Sequence, residues 1–469
     1  MESLMRFLKH SFKQSLLIIA VLAALGLGTL GARAMYGASG QADSRAGTLD
    51  PSAPGRAAAD LSTDGVIRNL QGYLANHGGD TVALSNLGIW YLQKARESGD
   101  PAWYGKADAV LKQSLARDGQ NFRTLLGMGS LALARHQFRE ALGWGARAAE
   151  LNPDNAAAQG ISGDAHVELG EYPEAFAAFE KMADLRPDLS SYARISYARE
   201  LKGDVTGAIK AMQSAVDAGA PDAEGTNWAR AQLGTLYFEH GDYSAAKAAY
   251  QSALDVSPAY AYANAGMANV RAAEGDYAGA RGIYAQVIKT LPLPQFVIAL
   301  GDIETAGGRP NDAAQQYALA AIEEKLFAAS GVDVDAELAL FDADHGRDLP
   351  NSLERARAAY ARRPSVGVAD VLAWTLYQNG DYAAAQELSR SALRLGTQSA
   401  LMYYHAGMIA RALGDAAGSV EYLRKALALN PNFSLLYAAN ARQLTTSASP
   451  AVEIIGKQRA GIYASEHQR

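Results

Sequence analysis

A pattern that returns about every 34 residues through most of this 469-residue chain constrains it more than any single residue does. A unit that short cannot bury its own apolar face and must stack on its neighbours. Prolines mark the period: Pro153, Pro187, Pro258, Pro292, Pro364 and Pro431 each close an Ala-rich run of helix formers, as in AELNP, ADLRP and LALNP, mostly one or two periods apart. A turn tripeptide marks the middle of the unit, as Gly170-Glu171-Tyr172, Gly241-Asp242-Tyr243, Gly275-Asp276-Tyr277 and Gly380-Asp381-Tyr382. A small residue follows and then a large one, as in Ala175 and Phe179, Ala246 and Tyr250, Ala280 and Tyr284, and Ala313 and Tyr317.

This spacing predicts an all-α chain of helix-turn-helix hairpins. Gly ends the first helix and Pro stops the second. Gly129, Gly163, Gly234, Gly301 and Gly407 let the two helices approach closely, while the aromatics fill the gap to the next hairpin. The set Leu233-Gly234-x2-Tyr237, then Gly241, Tyr243, Ala246, Tyr250, Ala253 and Pro258, closely resembles the tetratricopeptide repeat (TPR) consensus. Aligned to it, the chain gives about ten hairpins over residues 82–431, with first-helix centres near Gly88, Gly129, Gly163, Ser196, Gly234, Ala268, Gly301, Leu340, Ala373 and Gly407. The resemblance implies a superhelical solenoid, stabilised as a sum of nearest-neighbour interfaces and capped at its ends. Val66, Ile67, Leu70 and Leu74 suggest a capping helix over residues 61–80, and residues 432–469 form a C-terminal cap and tail. The register is least regular at the insertion from Glu97 to Tyr104, at Ser196 where Gly is expected, and across FDADHGRDLPNS in the eighth unit.

The N-terminus suggests a location. Arg6, Lys9 and Lys13 precede an uncharged apolar run over residues 16–32, with Arg33 after it and a Gly, Ala, Ser, Pro and Asp-rich stretch to about Asp60. Basic flank, apolar run and polar exit describe a membrane-targeting segment. Two readings fit residues 1–34. One is an uncleaved single-pass anchor, with Ala20, Ala24, Gly28 and Ala32 recurring at a helix-packing interval. The other is a signal peptide cut near Ala34, which makes the protein secreted or periplasmic. Either places the repeats outside the cytoplasmic membrane, with residues 35–60 as a flexible linker. The repeats from Glu337 onward also resemble a group of bacterial TPR proteins with export signals.

Composition narrows the function. The chain has no cysteine, so disulfides, thiolate metal sites and a cysteine nucleophile are excluded. A net charge of −6 argues against nucleic acid as a partner. Gly26-Leu-Gly28-Thr-Leu-Gly31 spells a dinucleotide fingerprint, but inside the apolar run. Gly127-Met-Gly129-Ser-Leu-Ala132 spells its variant where the repeat wants small packing residues. Neither has the strand-turn-helix context that a cofactor site needs, so no cofactor is expected. Asp342, Asp344 and His345 are the one tight carboxylate-imidazole cluster, and a position at a helix end makes local capping its expected role, with no metal and no catalytic residue assigned.

Surface recognition is what remains. In TPR proteins the first helices line a concave groove, and the resemblance sends Trp228, Tyr262, Asn269, Trp374, Tyr377, Tyr404 and His405 to it as candidate partner-binding residues. Aromatic side chains of this kind give large contact area at small entropic cost. The paired Lys, Asn and Arg residues of the TPR carboxylate clamp are absent from the matching positions. The expected function is therefore a non-enzymatic scaffold for a protein or peptide partner in the cell envelope, tied to the membrane through residues 16–32. The alternative is a periplasmic helper in polysaccharide synthesis or export that binds glycan or secretion machinery. Self-association by end-to-end stacking is a further expectation.

Overall fold

The computed structural model describes residues 62–446. Among these residues there are 22 helices and no strand. A first helix, Thr63–Asn76, is followed by ten antiparallel hairpins and a last short helix, Ala438–Thr446. Hairpins 1 to 5 are Thr81–Ser98 with Ala102–Arg117, Phe122–Ala134 with Phe138–Leu151, Ala156–Glu168 with Tyr172–Leu185, Leu189–Leu201 with Val205–Ala218, and Glu224–Glu239 with Tyr243–Val256. Hairpins 6 to 10 are Ala261–Ala273 with Tyr277–Thr290, Pro294–Ala306 with Pro310–Ala329, Asp335–His345 with Leu349–Arg362, Val366–Gln378 with Tyr382–Ala392, and Ala400–Ala412 with Ala416–Leu429. Below, A denotes the first helix of a hairpin and B the second.

The Gly-Asp turn does two jobs. In hairpin 5, Gly241 sits in the left-handed region at φ 76°, and the Asp242 N–H reaches back to the Tyr237 carbonyl at 3.0 Å, closing helix A. The Asp242 carboxylate then accepts from the Ala245 N–H at 2.9 Å, capping helix B. Asp204, Asp276, Asp381 and Asp415 repeat this cap.

Close packing explains the small residues. A Cβ on Gly234 would lie 2.5 Å from the Tyr250 ring, and one on Gly266 of the next hairpin 2.2 Å from the same ring. Tyr250 is thus wedged between two helices whose backbones come near enough only because neither carries a side chain there. Where the pattern lapses, the structure compensates. Ser196 replaces the glycine of hairpin 4 and is buried, but its hydroxyl donates to the Ala208 carbonyl across the hairpin at 2.7 Å. In hairpin 7 no proline stands where helix B usually stops, and that helix runs 20 residues to Ala329.

The stack also coils back on itself, which the repeat pattern alone does not reveal. The turn of each of hairpins 2 to 5 packs against a loop between hairpins almost 200 residues further on. At hairpin 2, the Asp333 N–H donates to the Arg135 carbonyl at 3.1 Å, and His136 Nδ1 donates to the Asp333 carbonyl at 2.8 Å. At hairpin 3, the Val366 N–H donates to Tyr172 Oη at 2.6 Å. At hairpin 4, Thr397 Oγ1 donates to the Leu201 carbonyl at 2.7 Å. At hairpin 5, Asn430 Nδ2 donates to the Phe238 carbonyl at 2.8 Å and Tyr243 Oη donates to Asn430 Oδ1 at 2.6 Å. One coil therefore takes between five and six hairpins, and successive coils meet along a seam of backbone and polar contacts backed by apolar side chains, among them Tyr172, Leu201, Val366 and Met402. Arg363 lies buried there, both oxygens of Glu337 within 2.8 Å, beside Glu168 and His136. Burial pushes the Glu168 carboxyl up and the His136 imidazole down, so burial favours the neutral form of both.

The membrane expectation is corrected by these helices. Among the described residues none is long and apolar enough to cross a membrane, contrary to the single-pass cell-membrane protein read from the sequence. The longest carries Asp312, Glu323, Glu324 and Lys325, and each helix here exists to pack one face on a neighbouring hairpin. The apolar run at residues 16–32, the linker at 35–60 and residues 447–469 lie outside the described residues.

Two glycines in the array separate packing from propensity. Gly234→Ala is expected to lower stability by about 1–3 kcal/mol through overpacking against Tyr250. Gly282→Ala, in helix Tyr277–Thr290 with nothing within 4 Å of the added Cβ, should raise it by roughly 0.5–1 kcal/mol. Urea unfolding midpoints of the two variants should move in opposite directions.

Candidate functional site

The A helices stand side by side along the inner face, and polar pairs tie several of them to the next. Arg123 Nη1 of hairpin 2 donates to Asn86 of hairpin 1 at 3.0 Å. Arg194 of hairpin 4 grips Asp164 of hairpin 3 through two bonds of 2.9 and 2.6 Å. His345 of hairpin 8 meets Asp302 of hairpin 7 at 2.9 Å. Trp374 Nε1 of hairpin 9 donates to Asp344 of hairpin 8 at 2.8 Å, and His405 of hairpin 10 meets Asp370 of hairpin 9 at 2.9 Å. Tyr404 Oη continues the ladder to Asn440 on the last helix at 3.1 Å.

A second set of bonds fixes the rungs from behind. The large residue on helix B reaches through the hairpin to the inner position next to the small central residue, Gly234, Ala268 or Gly301. Tyr250 Oη lies 3.2 Å from Thr235 Oγ1, Tyr284 Oη donates to Asn269 Oδ1 at 2.6 Å, and Tyr317 Oη donates to Asp302 Oδ1 at 2.8 Å. Hairpins 5, 6 and 7 thus present Thr235, Asn269 and Asp302 in one row, each held by a tyrosine hydroxyl. A groove residue locked in this way loses little entropy when it meets a partner.

The groove candidates divide by burial. Trp228, Trp374, Tyr404 and His405 are 3 % exposed or less. Trp228 packs in a cluster with Met212 and Leu233. Trp374 lies stacked on His405 at 4.2 Å between ring centroids, and Tyr437 from the C-terminal segment stacks on Tyr404 at 4.7 Å. Tyr437 also donates to Asp344 at 2.7 Å, so the residue leading into the last helix lies against Asp344, Trp374 and Tyr404 of hairpins 8, 9 and 10. Tyr262, Asn269 and Tyr377 are half-buried. Tyr262 is edge-on to Phe296 at 5.7 Å and Tyr377 stacks on Trp374 at 4.8 Å.

The Asp342, Asp344 and His345 cluster does not converge. Asp342 accepts from Arg355 at 3.0 Å, Asp344 from Trp374 and Tyr437, and His345 turns to Asp302. No group of three or more metal-ligating side chains lies together among the described residues.

His345 has both ring nitrogens aimed at acceptors, Nδ1 at the Phe341 carbonyl (2.8 Å) and Nε2 at Asp302. Satisfying both requires the imidazolium. Burial opposes that charge, but the bond to Asp302 and the fields of Asp302 and Asp344 outweigh it and hold the group above its ordinary value. Asp164 is different: burial dominates and lifts its carboxyl to about 6, against the pull of Arg194. Sequence analysis did not single out Arg194, which reaches Asp164 from the next A helix.

The architecture defines an α-solenoid with a ladder of inner-face side chains, a class built to hold other molecules along its length. The chain contains tetratricopeptide repeats: TPR profiles match residues 122–190, 237–303 and 371–432. TPR chains are generally non-enzymatic, and the repeats imply a protein-protein interaction scaffold with protein or peptide partners. No curated protein sequence matches the chain. Among solved structures, a human IFIT1 dimer with PPP-AAAA is similar at 13 % identity over 79 % of this chain and 91 % of that one, with a TM-score of 0.42. The APC/C hetero-tetramer Cut9-Hcn1 is similar at 15 % identity over 82 % of each chain, with a TM-score of 0.37. Yeast Tom70 is similar at 13 % identity over 82 % of this chain and 91 % of that one, with a TM-score of 0.34.

Two predictions follow from the ladder's charges. Arg194→Leu leaves Asp164 buried without its cation and should cost about 3–5 kcal/mol, while adding Asp164→Leu recovers most of the loss in urea unfolding. Because the His345 value is raised in the folded state, its contribution is fully present below the ordinary histidine value and is lost as pH rises through the folded one. His345→Gln should therefore lower the unfolding midpoint at pH 6, with the difference shrinking at pH 9; an equal difference at both would refute the imidazolium.

Proposed function

We propose that this chain is a scaffold whose inner face, over hairpins 5 to 8, holds a basic, extended segment of a partner protein. The observation that carries the reading is the row Thr235, Asn269 and Asp302, each bonded to a tyrosine hydroxyl from behind, with half-buried Tyr262 beside it. Asn269 uses its carbonyl oxygen on Tyr284, and its amide is a donor suited to a peptide carbonyl.

Charge supports a basic partner. Over hairpins 5 to 8 the ladder carries two carboxylates, Asp302 and Asp344, against one imidazole, His345. Asp344 accepts from two neutral donors, Trp374 and Tyr437. A lysine or arginine of the partner would offset the surplus, and such recognition weakens with salt. The reading assigns no reaction and no catalytic residue to the chain.

Fluorescence anisotropy with labelled extended peptides tests it. Lys- and Arg-bearing peptides should bind, their acidic counterparts should not, and Asn269→Ala or Tyr262→Ala should weaken binding at least about tenfold, or 1.4 kcal/mol. Binding that ignores peptide charge and both substitutions would sink the proposal.

A further inference from the structure

The seam joins two different edges of one repeat array. One edge carries the hairpin turns, the other the loops between hairpins. Within the molecule the turns of hairpins 2 to 5 meet the loops that follow hairpins 7 to 10. The turns of hairpins 6 to 10 and the loops after hairpins 1 to 5 remain, and two of those turns and two of those loops repeat sequences that make the seam.

The turn tripeptide occurs twice docked and twice free. In the docked copies, a Cβ on Gly170 would lie 2.6 Å from the Pro364 carbonyl oxygen and one on Gly241 2.9 Å from that of Leu429, so the missing side chain admits the opposing backbone. Tyr172 and Tyr243 then bond to Val366 and Asn430. Gly275 and Gly380 hold the same left-handed backbone, at φ 89° and 86°, with nothing within 4 Å of the Cβ position. Tyr382 is 38 % exposed where its docked counterpart Tyr172 is 3 % exposed.

The loop edge shows the same duplication. Leu429-Asn430-Pro431 is docked, with Asn430 buried. Leu151-Asn152-Pro153 has the same sequence and is exposed throughout, Leu151 at 44 %. Arg186-Pro187 likewise repeats docked Arg363-Pro364 and is exposed.

We infer that these edges form an interaction surface for a second copy of this chain. The free turn edge of one copy receives the free loop edge of the next, with Tyr382 and the backbone at Gly380 meeting Asn152 as Tyr243 and Gly241 meet Asn430. The occupant follows from continuity with the seam: the protein already contains the complement of each edge. Exposed Leu413 beside the turn of hairpin 10 and Leu151 on the loop edge add apolar surface to the contact. The two edges differ, so the interface is head-to-tail and does not close on itself; copies extend the coil into an open series. The inner face stays available, which makes this contact independent of peptide binding.

Sedimentation velocity of the full-length chain across a concentration series tests the inference. The expected result is a ladder of species that lengthens with concentration. Tyr382→Ala and Asn152→Ala, with Leu151→Asp as a second loop-edge variant, should each weaken assembly at least about tenfold while leaving the circular-dichroism melting curve unchanged. An equimolar mixture of Tyr382→Ala and Asn152→Ala chains should regain association but stop at pairs, because each keeps one intact edge. A single monomeric species throughout, a closed dimer indifferent to both substitutions, or a mixture that regains nothing would overturn it.

Discussion

The absence of a Cβ at the centre of six of the ten A helices, at Gly88, Gly129, Gly163, Gly234, Gly301 and Gly407, is the constraint from which the rest of this architecture descends. Gly234 and Gly266 let the Tyr250 ring sit between two backbones, and equivalent contacts at Gly163 with Phe179 and Gly301 with Tyr317 set the same helix spacing elsewhere. Fixed spacing within a hairpin fixes its rotation against the next, because side-chain ridges dictate how helices cross. A constant rotation, repeated, brings the array back over itself at a constant interval. The seam is therefore a consequence of local packing, although every contact in it joins residues almost 200 positions apart.

Seam and ladder use polar groups differently. Along the ladder, buried Asp164 and Arg194 fix the alignment of two A helices, and the stabilisation gained is small compared with the cost of leaving either alone. The seam combines backbone groups at turns, whose hydrogen bonding is already part-satisfied by the helix ends, with apolar side chains from both coils, Tyr172 and Leu201 beside Val366 and Met402. Arg363, Glu337, Glu168 and His136 are the exception, a charged cluster drawn from hairpins 2, 3 and 8 at one point of the seam. Register between coils is held there by chemistry as well as by shape, since a shift by one hairpin would leave Arg363 and Glu168 apart in the interior.

Much of this was legible in the sequence because the code is local. Gly, Asp and Pro at fixed offsets state where helices end, and Gly234 with Tyr250 states how they pack; these set the ten hairpins. The degenerate units were legible in place but not in remedy: Ser196 gave no hint that its hydroxyl would bond Ala208, and the lack of a proline after Tyr317 concealed a helix running to Ala329. Burial at the groove was not legible at all. Trp374 and Tyr404 carry inner-face positions, yet Tyr437, from a segment outside the repeat pattern, stacks over them. The tyrosine bonds to Asn269 and Asp302 were within reach, since both partners recur at fixed places in the unit. The seam was beyond reach, because no residue within one period records what the coil will meet a full turn later.

A periodic chain that meets itself faces a consequence that an aperiodic one escapes. Each surface that makes the internal contact exists in several copies, and a coil of finite length cannot occupy all of them. The usual remedy is to vary the sequence at the ends so that the spare copies no longer fit. Here variation is incomplete: the turn at Gly380 and the loop at Asn152 keep the residues that their docked counterparts use. The proposed contact between copies draws on the same logic that lets a short unit specify a long solenoid, whereas the inner ladder, built from charges that do not repeat, is where this chain departs from its own period.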